Sequence, residues 1–271
     1  MRFRLAALLC LVASLATAQE TDLLALRTLD AARGYEAVGR IEIDGRGFCT
    51  GALIEEDLVL TAAHCLYDQD NGERIDPTKL EFLAGLRDGR ALAYRGVRRA
   101  IHPDSYVYSG TATLDNVALD IALLELDQPI RSTQIVPFDL GAEPRIGEPV
   151  SVVSYALDRA EAPSLQETCD VMGSQDRILV MTCNVDFGSS GAPVFSIAGG
   201  APRIVSVVSA KAQVDEGRVA LGMAIDQPLR ALRTSLLSGG GDYGGVEQSR
   251  IRVIRPGEAD GSDTGAKFLR P

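Results

Sequence analysis

The groups able to do covalent chemistry are few and far apart. Gly188-Ser189-Ser190-Gly191-Ala192-Pro193 sets a serine between glycines and closes the turn with proline. Glycine allows a tight turn and a close approach of another molecule to the main chain. Two N–H groups pointing into one hollow stabilise an oxyanion, and a hydroxyl beside that hollow is a nucleophile once a base reaches it. Alone, the hexapeptide is ordinary turn composition. The base narrows the reading. The chain has two histidines, His64 and His102. His64 lies in Thr61-Ala62-Ala63-His64-Cys65, and a carboxylate opens Asp120-Ile121-Ala122-Leu123-Leu124. Taken singly, a histidine beside a cysteine and an aspartate before an apolar strand are ordinary structural residues.

Together the three stretches resemble, in order, the His, Asp and Ser blocks of trypsin-like serine proteases, whose patterns are T-A-A-H-C, D-I-A-L-L and G-D-S-G-G-P. The resemblance runs from about Val38 to Leu237. It implies Ser190 as nucleophile, His64 as general base then acid, and Asp120 as the orienting carboxylate. The backbone N–H groups of Gly188 and Ser190 would form the oxyanion hole. Asp115 lacks the Ile-Ala-Leu-Leu sequel, and His102 precedes Pro103 as in the structural His-Pro turn of many relatives. An α/β-hydrolase is excluded, because its elbow is Gly-x-Ser-x-Gly with the histidine last; here both histidines precede Ser190.

The chain departs from the family at two positions. Ser189 stands where digestive and clotting members carry the aspartate that binds a newly cut N-terminal amine, so that switch is not expected. In this the chain is closer to bacterial glutamyl-endopeptidase-like relatives. Ala192 replaces the second glycine. By the same resemblance Asn184 aligns with the floor of the specificity pocket and Val208 and Ser209 with its wall. A neutral amide on the floor does not support an Arg/Lys preference.

Short strands must position these groups. Val38–Ile43 alternates and is followed by the turn Asp44-Gly45-Arg46-Gly47. Further strands are expected at 48–54, 58–60, 80–83, 96–101 and 121–126. A proline-containing connector precedes a second set at 150–155, 168–172, 178–182, 192–196, 204–210 and 218–224. Frequent turn signals between short strands mean an all-β chain; two antiparallel barrels with a cleft between them, and a closing C-terminal helix, are what the resemblance adds. The expected division is a signal peptide at 1–18, an N-terminal arm or pro-segment at 19–37, a first barrel at 38–135, a second at 146–224, a helix at 225–237 and a flexible tail at 238–271. The arm has some helical spacing (Leu23, Leu26, Leu29). Asp226 is a candidate cap for the helix, whose one side carries Leu229, Leu232, Leu236 and Leu237.

Arg2 and Arg4, an apolar run from Leu5 to Leu15 and Ala16-Thr17-Ala18 form a secretory signal pattern, too short to span a bilayer. Cys10 would leave with it. The remaining Cys49, Cys65, Cys169 and Cys183 are an even set, and in an exported chain imply disulfides. Nearest pairing gives Cys49–Cys65 and Cys169–Cys183; the first matches the family's bridge at the histidine loop. No Cys-x-x-Cys pair is present, so neither a metal site nor any other cofactor is expected. The charge of −10 argues against nucleic acid and anionic membranes as partners. The expected function is an endopeptidase acting on proteins or peptides, secreted or periplasmic. The rival is a catalytically weak or inactive trypsin-like fold that binds protein partners.

Overall fold

The computed structural model describes residues 22–215 and 217–244. The expected signal peptide, Cys10 and the tail from 245 onward lie outside the described residues. With no tryptophan and 5% aromatic residues, the interior is built from aliphatic side chains on antiparallel strands. Strands of this kind present alternate residues to opposite faces, so one face fills the barrel.

The first barrel comprises β2 (Val38–Ile43), β3 (Gly47–Glu55), β4 (Leu58–Thr61), β5 (Leu80–Ala84), β6 (Ala93–Ile101) and β7 (Ala122–Leu126). They run in the order β6-β5-β2-β3-β4-β7, and a β6–β7 pairing closes the ring. The β2–β3 hairpin turns through Asp44 and Gly45, whose φ angles of 50° and 67° suit the two residue types that tolerate the left-handed region. The second barrel comprises β8 (Pro149–Ala156), the long β9 (Arg159–Gln175), β10 (Ile178–Met181), β11 (Pro193–Ser196), β12 (Arg203–Val214) and β13 (Gly217–Ala224), closed by β8–β9.

Each ring carries one added strand from a chain end. β1 (Leu23–Ala25) pairs with β9 of the second barrel, Leu24 facing Leu165. β14 (Asp242–Tyr243) pairs with β6 of the first, Asp242 facing Ala100. The arm is therefore extended and not helical at Leu23, and Leu26 beyond it is fully buried. The expectation of a flexible tail beginning at 238 fails at its start. Arg99 donates to the Tyr243 hydroxyl at 2.7 Å and lies over its ring, and Arg74 contacts Asp242.

Two α-helices lie among the described residues: α1 (Leu114–Val117) and α2 (Asp226–Leu237). α2 buries Leu229, Leu232 and Leu236 at helical spacing. Asp226 opens this helix without capping it, because Ile225 is the cap position, and Leu237 is 90% exposed. Leu and Phe side chains from both barrels meet in one core, in which Phe195 of β11 packs edgewise on Tyr35 and beside Phe138. A smaller core of Val150, Val152, Leu179, Met181 and Val194 fills the second barrel around Cys169–Cys183.

Candidate active site

His64 sits on a single 3-10 turn, Ala63–Leu66, directly after β4. The Cys49–Cys65 disulfide fastens that turn to β3. Asp120 precedes β7, which pairs with β4, so the sheet brings the two together. The His64 N–H donates to Asp120 Oδ1 at 2.9 Å, and His64 Nδ1 lies 2.7 Å from Oδ2. A carboxylate beside Nδ1 selects the tautomer protonated there and leaves Nε2 able to accept a proton. Asp120 is 3% exposed. A charge so buried needs compensation, and a third donor supplies it: Ser209 Oγ from β12. Burial alone lowers the His64 pKa, but the charge and hydrogen bond of Asp120 outweigh it and leave the imidazole above its usual value.

Ser190 and His64 line one cleft of about 420 Å³, together with Asp120, Val185, Val208 and Ser209. Gly188 and Ser190 also line an adjoining cavity of about 300 Å³. Ser190 thus borders both hollows.

The N–H groups of Gly188 and Ser190, expected to hold an oxyanion, are set through the carbonyls that precede them. In a planar trans peptide the N–H points opposite to the C=O. The Phe187 carbonyl accepts from Leu157 N–H at 2.9 Å, which fixes the N–H of Gly188. The Ser189 carbonyl accepts from Ala192 N–H at 3.0 Å, which fixes the N–H of Ser190. Neither of these N–H groups donates to another group among the described residues. Gly188 has φ of +94°, and a Cβ there would strike the Phe48 ring and come within 3.0 Å of the Ala156 Cα. A glycine is required here by space as well as by backbone conformation.

Ser189 is fully buried. Its hydroxyl takes the Asp186 N–H at 3.3 Å and reaches Tyr155 O and Ser154 Oγ at 3.2 Å. Arg159 Nη2 lies 3.5 Å away, and burial lowers the pKa of that guanidinium. Ala192, in place of the family's glycine, packs its methyl into the second core.

The residues expected in the specificity pocket do not all meet. Val208 and Ser209 line the cleft, Ser209 while also holding Asp120. Asn184 is exposed, donates its N–H to Gln166 Oε1 at 2.7 Å and is absent from the cleft wall, where Val185 takes its place. Lys211 also lines the cleft; its ammonium donates to Asp186 at 2.6 Å and sits 4.1 Å from the centre of the Phe187 ring.

His102 is held apart, its Nδ1 on Pro103 O and its Nε2 on the Tyr67 hydroxyl, both at 2.8 Å. Asp115 is an exposed residue of α1. Cys49, His64 and Cys65 lie close enough together to suggest metal ligands, but both sulfurs are spent in a disulfide.

Two closed antiparallel barrels with a histidine, a carboxylate and a serine at their cleft define a chymotrypsin-like fold. The chain belongs to the trypsin-like peptidase domain family, which matches residues 49–201. It is 26% identical over 162 residues to the glutamyl endopeptidase of Bacillus licheniformis, covering 59% of this chain and 49% of that one. It is 30% identical over 126 residues to beta-fibrinogenase mucrofibrase-4 of Protobothrops mucrosquamatus, covering 46% and 38%. The chain thus spans about half or less of the length of these relatives. Among solved structures, a Glu endopeptidase superposes with a TM-score of 0.60 at 18% identity, covering 76% of this chain and 90% of that one. An inactivated protease paralogue of the scabies mite superposes with 0.61 at 13%, covering 78% and 96%. These two likenesses concern the fold alone.

Proposed function

We propose that this protein is an exported serine endopeptidase working through an acyl-enzyme. Ser190 Oγ attacks the scissile carbonyl as its proton passes to His64 Nε2, and a C–O bond forms. The carbonyl oxygen becomes an oxyanion held by the Gly188 and Ser190 N–H groups. The C–N bond then breaks, and the leaving amine takes the proton from His64. Water repeats the sequence on the ester and frees the acid and the serine. Asp120 keeps the imidazole oriented and stabilises its charged form, and Ser209 in turn keeps Asp120. No metal or organic cofactor takes part in this scheme.

The observation that carries this reading is the His64–Asp120 pair opening into the cleft that Ser190 shares. Export is supported by the two disulfides and by the sequence of residues 1–18. Among the described residues no helix is long and apolar enough to cross a membrane. The substrate is a protein or peptide. Lys211 is the lysine of the cleft wall, Asp186 beside it is paired, and Asp120 is engaged, so the pocket disfavours Arg and Lys next to the scissile bond.

A fluorophosphonate probe tests the reading. Labelling of Ser190 that disappears in His64→Ala supports it. A folded, mature protein that takes no label is instead a binding module.

A further inference from the structure

We propose that the side-chain hydroxyl of Thr50 is a positioning group for the oxyanion loop, acting from the first barrel on a loop of the second. This rests on the peptidase reading and deepens it. Thr50 lies on β3 in the run Cys49-Thr50-Gly51-Ala52-Leu53 and is fully buried. A hydroxyl placed there loses its hydration and must be repaid by hydrogen bonds. It has two. Thr50 Oγ1 donates to the Gly188 carbonyl at 2.8 Å and accepts the Tyr155 N–H at 3.1 Å. The direction is unambiguous, because an amide N–H only donates and a carbonyl only accepts.

The main chain of the same residue is equally engaged. Its N–H donates to the Ser190 carbonyl at 2.8 Å, and its carbonyl accepts from Thr61 Oγ1 at 2.9 Å. Thr61 is the last residue of β4, three before His64. One residue therefore joins the nucleophile, the oxyanion loop, Tyr155 of β8 and the strand that leads to the base.

The peptides on either side of this carbonyl are pinned by Leu157 and Ala192, as described above. Between them, the Gly188–Ser189 peptide is held on its N–H side from within the loop, Ser189 N–H donating to the Asp186 carbonyl at 2.8 Å. The Thr50 hydroxyl holds the same peptide on its carbonyl side. Ser189 offers no carboxylate to brace the loop from within, and its hydroxyl is engaged with Tyr155 and Asp186. A second restraint comes from the neighbouring barrel.

An orientation of N–H groups that matters chiefly to the charged intermediate affects turnover more than substrate binding. Thr50→Val keeps the shape and removes both bonds; Thr50→Ser keeps both bonds. In the mature protein, Thr50→Val is expected to lower kcat about 10- to 100-fold, less than the full loss of an oxyanion donor costs, with KM nearly unchanged. Thr50→Ser is expected to restore most of kcat. A peptide trifluoromethyl ketone, whose adduct carries an oxyanion, should bind Thr50→Val more weakly by a similar factor. The matching non-electrophilic peptide should bind both proteins alike. A folded Thr50→Val with wild-type kcat overturns the inference, as does an equal loss for both inhibitors. If valine prevents folding, Thr50→Ala is judged by the same inhibitor ratio per folded molecule. A wild-type protein inert to fluorophosphonate removes the peptidase reading itself; an active wild type matched by Thr50→Val removes only the role of Thr50.

Discussion

The hydroxyl of Ser209 donates to Asp120 Oδ2, the carboxylate oxygen that also faces His64 Nδ1. β12 of the second barrel thereby orients a residue of the first. Hydrogen bonds to charged groups contribute about 1.5–3 kcal/mol, so Ser209→Ala is expected to cut kcat/KM by roughly 10- to 100-fold. The measurement is steady-state kinetics on a peptide ester alongside an amide, and the loss should appear with both.

Activity should rise with pH. The base must be neutral, and Asp120 holds the His64 pKa above 6.5 against the opposing effect of burial. The acid limb of kcat/KM is expected above that value. Asp120→Asn removes the raising influences, so the limb should move down while kcat falls about ten-thousandfold. The stability effect has the opposite sense. A folded pKa above the unfolded one means that the folded state binds the proton more tightly. This contribution is complete below about 6.5 and is lost as pH rises through the folded pKa. Urea midpoints across this range, for wild type and Asp120→Asn, measure it.

Asn184→Asp should leave substrate preference unchanged, because Asn184 is exposed and outside the cleft wall. Lys211→Ala should change it, by removing an ammonium from that wall and freeing the Asp186 carboxylate. A peptide-library digest of both variants separates these outcomes. An Arg/Lys preference gained with Asn184→Asp would refute the assignment of the wall to Val185.

Gly191→Ala should destabilise the fold. Gly191 has φ of +78°, and a Cβ there would run into Thr61 Oγ1 and the Thr50 carbonyl. Backbone cannot yield as a side-chain tip can, so a loss of about 2–4 kcal/mol is expected. Denaturant unfolding of the inactive Ser190→Ala background reads this without self-digestion.

Much of the molecule was legible in its residues. Val38–Ile43 alternates and is β2, and the turn at Asp44-Gly45 is where the composition places it. His64 follows β4 and Asp120 precedes β7, its pairing partner, and their side chains meet. What stayed hidden depends on contacts between distant segments. Thr50 looks like any β-branched strand residue until Gly188 and Tyr155 close around its hydroxyl. Ser209 carries no local sign that it serves Asp120. Asn184 is turned from the cleft wall by its loop, its N–H held by Gln166 of a distant strand. β1 and β14 are three and two residues long, too short to leave an alternating pattern, and both owe their form to the edge they dock on.

The placement of those two short strands has a consequence for dissecting the molecule. The opening segment is stitched to the later ring, and the closing segment to the earlier one. A cut in the linker between the rings would give two pieces, each holding a strand that belongs on the other. Such fragments should recover the shape of the parent only when mixed, each lending its partner the missing border.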